Sequence, residues 1–96
     1  MHTMSFQDFE SSALAQGFDE VLERVWEPGQ VVGTHTHPFA VKALVVRGEM
    51  WLTEGDQTRR LGPGDRFELE DAAPHAERYG SEGATYWVAR RSAKPN

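Results

Sequence analysis

The sequence predicts an all-β domain, an antiparallel sandwich or barrel carrying one short helix at its N-terminus. Past residue 17 the chain breaks into short segments rich in Val, Thr, Phe, Tyr and Trp, residues that favour pleated, half-buried backbone. Turn formers separate these segments at close intervals. Many short strands punctuated in this way pack as two facing sheets or as a closed barrel.

Residues 1–4 read as a tail that contains His2, which is set aside. From Ser5 to Gly17 the pattern suits a helix: Ser5 can cap it, Asp8 sits three residues on, and Phe6, Phe9 and Ala13 form a stripe. Gly17 can end it, and the stripe reads as a brace against the sheet. Val21–Glu27 reads as a strand ending at Pro28-Gly29, although Val21, Leu22, Val25 and Trp26 also fit helical spacing. Val31–Thr34, Phe39–Val46, Met50–Thr53, Thr58–Leu61, Arg66–Glu70, His75–Tyr79 and Thr85–Arg91 follow as strands. Pro63-Gly64, Gly48, Gly55-Asp56 and the stretch 80–83 supply turns, since Pro presets φ and Gly accepts positive φ. The expected organisation is a tail and helix over 1–19, the barrel over 20–91, and a short tail over 92–96.

At 96 residues the chain fits one domain with a thin core. A closed barrel, a bound metal or a partner subunit would each help to stabilise it. The net charge of −5 disfavours nucleic acid and anionic membranes as partners, and Arg59-Arg60 and Arg90-Arg91 read as solvated surface pairs. No apolar run reaches the length of a membrane span and no signal-peptide core is visible, so the cytoplasm is the expected location. With no cysteine, disulfides, thiolate ligands and cysteine nucleophiles are excluded, and a metal would need His and oxygen ligands.

His35-Thr36-His37 is the informative pair. On a strand, alternate residues share a face, which puts the two imidazoles about 7 Å apart at the backbone and able to converge on one cation. His75, after the turn-prone Ala72-Ala73-Pro74, can supply a third nitrogen. The alternative is three polar side chains left in the mouth of a metal-free barrel.

In this region the chain resembles the cupin superfamily. The first cupin motif runs Gly, His-x-His, Glu, Gly, and here Gly29, His35, His37 and Gly48 fall in register while Val41 holds the place of the Glu. In the second motif Gly64-Asp65 and His75 match, whereas Glu70, Ala72 and Tyr79 replace its Pro, Gly and Asn. The resemblance covers residues 20–91. It implies a double-stranded β-helix, or jelly-roll, barrel and one divalent metal ion on His35, His37 and His75, and imidazole ligands alone fit Zn, Fe, Ni, Mn or Cu. Homodimers are common in the superfamily and are expected here. Strand parity puts Val41 on the face of the histidines and Lys42 on the other, so the family's fourth ligand is missing and coordination positions stay open.

The same parity places Glu77 and Tyr79 on the face of His75 as candidate catalytic groups. Glu77 reads as an internal acid or base, a more distant metal ligand, or a solvated strand residue. Tyr79 reads as interior filling or as a pocket-facing hydroxyl. Phe39, Val41, Ala43, Val45, Phe67 and Leu69 share an inward face, and Phe39, Val41, Phe67 and Tyr79 are expected to line a pocket for a small organic ligand. Trp26, Trp51 and Trp87 read as core or dimer contacts. Three functions stay open: a metal-dependent enzyme on a small molecule (dioxygenase-like chemistry included), a non-catalytic sensor or carrier module, and a structural dimeric barrel.

Overall fold

The computed structural model describes residues 4–92; His2 and the C-terminal tail beyond residue 92 lie outside the described residues. Helix α1 (Phe6–Ala15) is followed by β1 (Glu20–Trp26), β2 (Val31–His35), β3 (Phe39–Glu54), β4 (Gln57–Leu61), β5 (Arg66–Leu69) and β6 (His75–Ser92). All strand pairings are antiparallel. The long strands β3 and β6 pair along most of their length. β1 and β5 flank one half of this central pair, and β2 and β4 flank the other.

The sequence expectation of turns at Gly48 and over 80–83 is corrected by this arrangement. Both strands run through these points and bend, with register shifts between Val45 and Arg47 and between Gly48 and Met50. Gly48 has φ of 79°, and a Cβ on it would lie 2.2 Å from the carbonyl oxygen of Gly83. A glycine there lets the two backbones touch, so the ladder bulges and folds over without breaking. The two halves then face each other across one core, to which Val41, Ala43, Val45, Tyr86 and Val88 contribute from one half and Met50, Leu52, Leu61 and Tyr79 from the other.

The segment with helical spacing is a strand: all seven residues of β1 pair with β6. Alternation sends Leu22 and Trp26 to the core and Val21 to the outer face. The outer face of the β3–β6 pair is covered by α1. Ser5 and Asp8 form a reciprocal capping box at its start. Gly17, with φ of 95°, closes its end, where Gly17 N–H donates to Leu14 and Phe18 N–H to Ala13. Phe9 and Ala13 pack on Leu44 and Ala89, and Phe6 meets Trp87 edge-on at 5.6 Å. No helix among the described residues is long and apolar enough to cross a membrane.

Candidate metal centre

β2 ends at His35, β6 begins at His75, and these two residues are cross-strand partners. The expectation that His37 continues the strand of His35 is corrected, because β2 stops at His35 after a register shift beginning at Val32. His37 lies in the link to β3 and is aimed by other contacts. Ala72 N–H donates to its carbonyl oxygen at 2.8 Å, and its ring stacks on Phe39 with centroids 4.6 Å apart. The three imidazoles still meet, with centroids 4.3 Å (His35–His75), 4.6 Å (His37–His75) and 5.0 Å (His35–His37) apart. One ring nitrogen from each lies within 4.8 Å of those of the other two.

Backbone carbonyls fix two of the tautomers. Nδ1 of His35 bonds the Gly33 oxygen at 2.7 Å, and Nδ1 of His75 bonds the Ala73 oxygen at 2.9 Å. A carbonyl only accepts, so both Nδ1 atoms carry protons and in the neutral rings both Nε2 atoms carry lone pairs. This outer support is the pattern found around metal-bound imidazoles. Burial lowers the pKa of His37 below 6.5, and the like charges of His75 and His35 push it further down against the pull of Glu77. His37 is thereby kept available to a cation at neutral pH. Two nitrogens bound at about 2.1 Å to one ion lie at most about 4.2 Å apart, so small ring adjustments complete a site.

Ala72 holds the loop that delivers His75, and its φ is 62°. The resembled motif has Gly at this position, and Ala adopts the same left-handed conformation at a cost of about 1–2 kcal/mol. Its N–H bond to His37 is what the strained residue provides.

Glu77 is 7% exposed and stands on β6 beside these rings. Its Oε2 lies 3.5 Å from Nε2 of His35 and 3.6 Å from Nε2 of His75. Its Oε1 accepts the hydroxyl of Tyr79. Tyr79, expected to line the pocket, sits behind the wall instead, because its ring stacks on Trp26 at 4.9 Å and is 2% exposed. Burial, the neighbouring Tyr86 and the carboxylate of Glu77 all raise its pKa, so it remains a neutral donor. Burial also raises that of Tyr86, and the charge of Glu77 adds to the effect.

The cavity in front of the histidines measures about 230 Å³. Phe39, Val41, Phe67, Leu69 and Val88 form its apolar wall. It also receives Trp26, Tyr86, Arg24 and Arg90. The reading of Arg90 as solvated surface is corrected: its Nε is buried without a partner, and its guanidinium carbon lies 4.8 Å from the Phe39 ring centre. Alternation on β6 from the inward Tyr86 and Val88 leads to Arg90, a signal present in the sequence but unused. Arg24 shares the inward side of β1 with Leu22 and Trp26, and stacks over Trp26 at 4.6 Å. Trp26 thus belongs to the cavity as well as to the core. Lys42 points outward to the Gln16 side chain at 2.7 Å, so it takes no part in the centre. A larger groove of about 730 Å³ lies elsewhere, with Glu23, Val25, Val46 and Trp87 in its lining and no histidine.

These features define a small antiparallel barrel with a histidine-lined mouth. The Cupin domain family matches residues 22–89, and the chain belongs to the cupin family. Its fold is similar to that of a chain from the DMSP lyases RdDddP and RnDddQII, with TM-score 0.70 and 27% identity, covering 76% of this chain and 38% of that one. DMSP lyase DddQ from Ruegeria pomeroyi DSS-3 gives TM-score 0.65 at 27% identity, covering 79% and 38%. KdgF from Halomonas sp. gives 0.65 at 20%, covering 76% and 69%. The chain therefore spans little more than a third of the lyase chains it resembles. Comparison with curated proteins gives no match.

Proposed function

We propose that this cupin holds one divalent metal ion on His35, His37 and His75 and uses it to bind and act on a small organic anion. The observation that carries the reading is the convergence of three imidazoles, two with Nδ1–H tied to backbone carbonyls, in a small, partly open cavity. A divalent ion held by neutral imidazoles with open positions supplies Lewis acidity and lowers the pKa of bound water. The donor set accommodates Zn, Fe, Ni, Mn or Cu.

The chain's own residues supply the selectivity. A cavity of about 230 Å³ lies below the roughly 300–1,000 Å³ of pockets for drug-sized ligands, so the ligand is small. The chain carries net charge −5, yet Arg24 and Arg90 both face this cavity. Arg24 forms no ion pair within 4.0 Å among the described residues, and Arg90 pairs through Nη1 with Glu20 while its Nε stays free. Guanidinium groups recognise carboxylates through paired N–H donors. Phe39, Val41 and Phe67 exclude water from the ligand's apolar part. Tyr79 keeps the Glu77 carboxylate turned toward the imidazoles. The likeness to DMSP lyases supports an enzyme over a passive carrier, at the level of reaction class only.

Elemental analysis of untagged protein, with thermal melts across the five metals, tests the metal. One ion per chain and a raised Tm are expected, with both lost in His37→Ala. No metal and no shift in the wild type would overturn the reading. Calorimetry with succinate against uncharged succinamide tests the ligand class; equal binding of the two would remove the anion from the proposal.

A further inference from the structure

We infer that Glu77 supplies the carboxylate ligand of this centre, relocated to β6 from the β3 position that Val41 occupies. The inference rests on the metal reading above and adds a donor to it.

The β3 position offers no oxygen. Val41 is buried in the cavity wall between its register partners Leu69 and Arg90, and the neighbouring Lys42 is committed to Gln16 on the opposite face. Glu77 stands two residues beyond His75 on the same face of β6. A buried carboxylate is costly unless its oxygens are satisfied. Oε1 is satisfied by Tyr79. Oε2 lies 3.5 and 3.6 Å from the two Nε2 atoms, distances beyond an ordinary N–H···O bond. With both Nδ1 atoms engaged by carbonyls, it is the Nε2 atoms of His35 and His75 that face Oε2. Oε2 and the two Nε2 atoms thus stand together as three potential donors at the end of the cavity. A cation held by them satisfies Oε2. The spacing fits as well, because two donors bound at about 2.1 Å in tetrahedral geometry lie roughly 3.4 Å apart.

Tyr79 is then a positioning residue. It stands where the resembled motif has Asn, and it holds Oε1 so that Oε2 points at the imidazoles. Carrying the carboxylate on β6 leaves the β3 side of the cavity apolar, where Phe39 and Val41 meet the ligand.

The test is zinc affinity, measured by chelator competition, with infrared difference spectra on metal addition. Glu77→Gln keeps the shape and can still accept the Tyr79 hydroxyl; it is expected to weaken zinc binding at least tenfold and to remove a metal-induced shift of a carboxylate stretch. Tyr79→Phe is expected to weaken binding by less and to keep that shift. Val41→Glu placed on Glu77→Gln is expected to restore both affinity and shift. If wild type binds zinc and Glu77→Gln binds within twofold with the spectrum unchanged, the inference is overturned while the three-histidine centre stands. If wild type binds no zinc, the centre itself fails. Should Glu77→Gln not fold, the wild-type spectrum decides: a shifted carboxylate stretch supports the inference and its absence overturns it.

Discussion

The two faces of the β3–β6 pair are built from alternate residues of the same strands, yet they are finished in opposite ways. On the outer face, Leu44, Ala89 and Trp87 meet Phe9, Ala13 and Phe6 of α1, and the polar groups nearby have partners, Lys42 on Gln16 and Trp87 Nε1 on Glu23. On the inner face, beyond the core, three imidazoles, Glu77, Arg24 and Arg90 project into a cavity, and Arg90 Nε has no partner. Adjacent residues separate the roles: Val41 from Lys42, and Arg90 from Ala89. The polar groups beneath α1 on the outer face find partners within the chain, while the inner face leaves Arg90 Nε without one. The outer side thus adds a second, smaller core under α1, while the inner side carries both the main core and the site.

Phe9→Ala should break this division most visibly if it is wrong. Removing a buried aromatic is expected to lower stability by about 3–5 kcal/mol, a large share of the total for a small domain. Urea denaturation reads that loss, and zinc affinity of the folded protein is expected to stay within twofold. A coupled loss of affinity would show that the faces are not independent.

Arg24→Gln probes the inner face alone. It is expected to weaken succinate binding about tenfold, equivalent to about 1.4 kcal/mol, with succinamide binding and zinc content unchanged. Calorimetry on the zinc-loaded variant gives the comparison. An effect equal for both ligands would assign Arg24 to packing on Trp26.

Ala72→Gly is expected to stabilise the protein by about 0.5–1 kcal/mol, since relief of the left-handed strain exceeds the added chain entropy. A small rise in Tm is the readout. A fall would mean that the methyl group makes contacts worth more than the strain.

The smallest expected effect is on pH dependence. His37 has a lowered pKa in the fold, so between that value and 6.5 the unfolded chain binds the extra proton and the folded one does not. The stability of metal-free protein is therefore full above pH 6.5, declines as pH falls through this window, and changes no further from this group below it. His37→Ala should flatten that part of the profile in thermal melts. An unchanged slope would place the titration elsewhere.

Much of this was legible in the sequence. The capping box at Ser5 and Asp8, the strand-rich pattern, and the three histidines are local signals that need no tertiary information. Three features were not legible, each because long-range contact overrides local chemistry. Gly48 reads as a turn, yet its pairing with the Gly83 region makes it a bend within a strand. His37 reads as strand-borne, yet Ala72 and Phe39 position it from a loop. Arg90 reads as surface because of its charge, whereas the alternation from Tyr86 and Val88 turns it inward. Lys42 and Val41, by contrast, fall where alternation alone puts them.

The direct measurement is anomalous diffraction from crystals soaked in zinc at neutral pH. One peak bonded to Nε2 of His35, Nε2 of His75 and a ring nitrogen of His37 is the predicted result. A cavity without a peak, or zinc found only on exposed carboxylates such as Asp56 or Glu82, would contradict it.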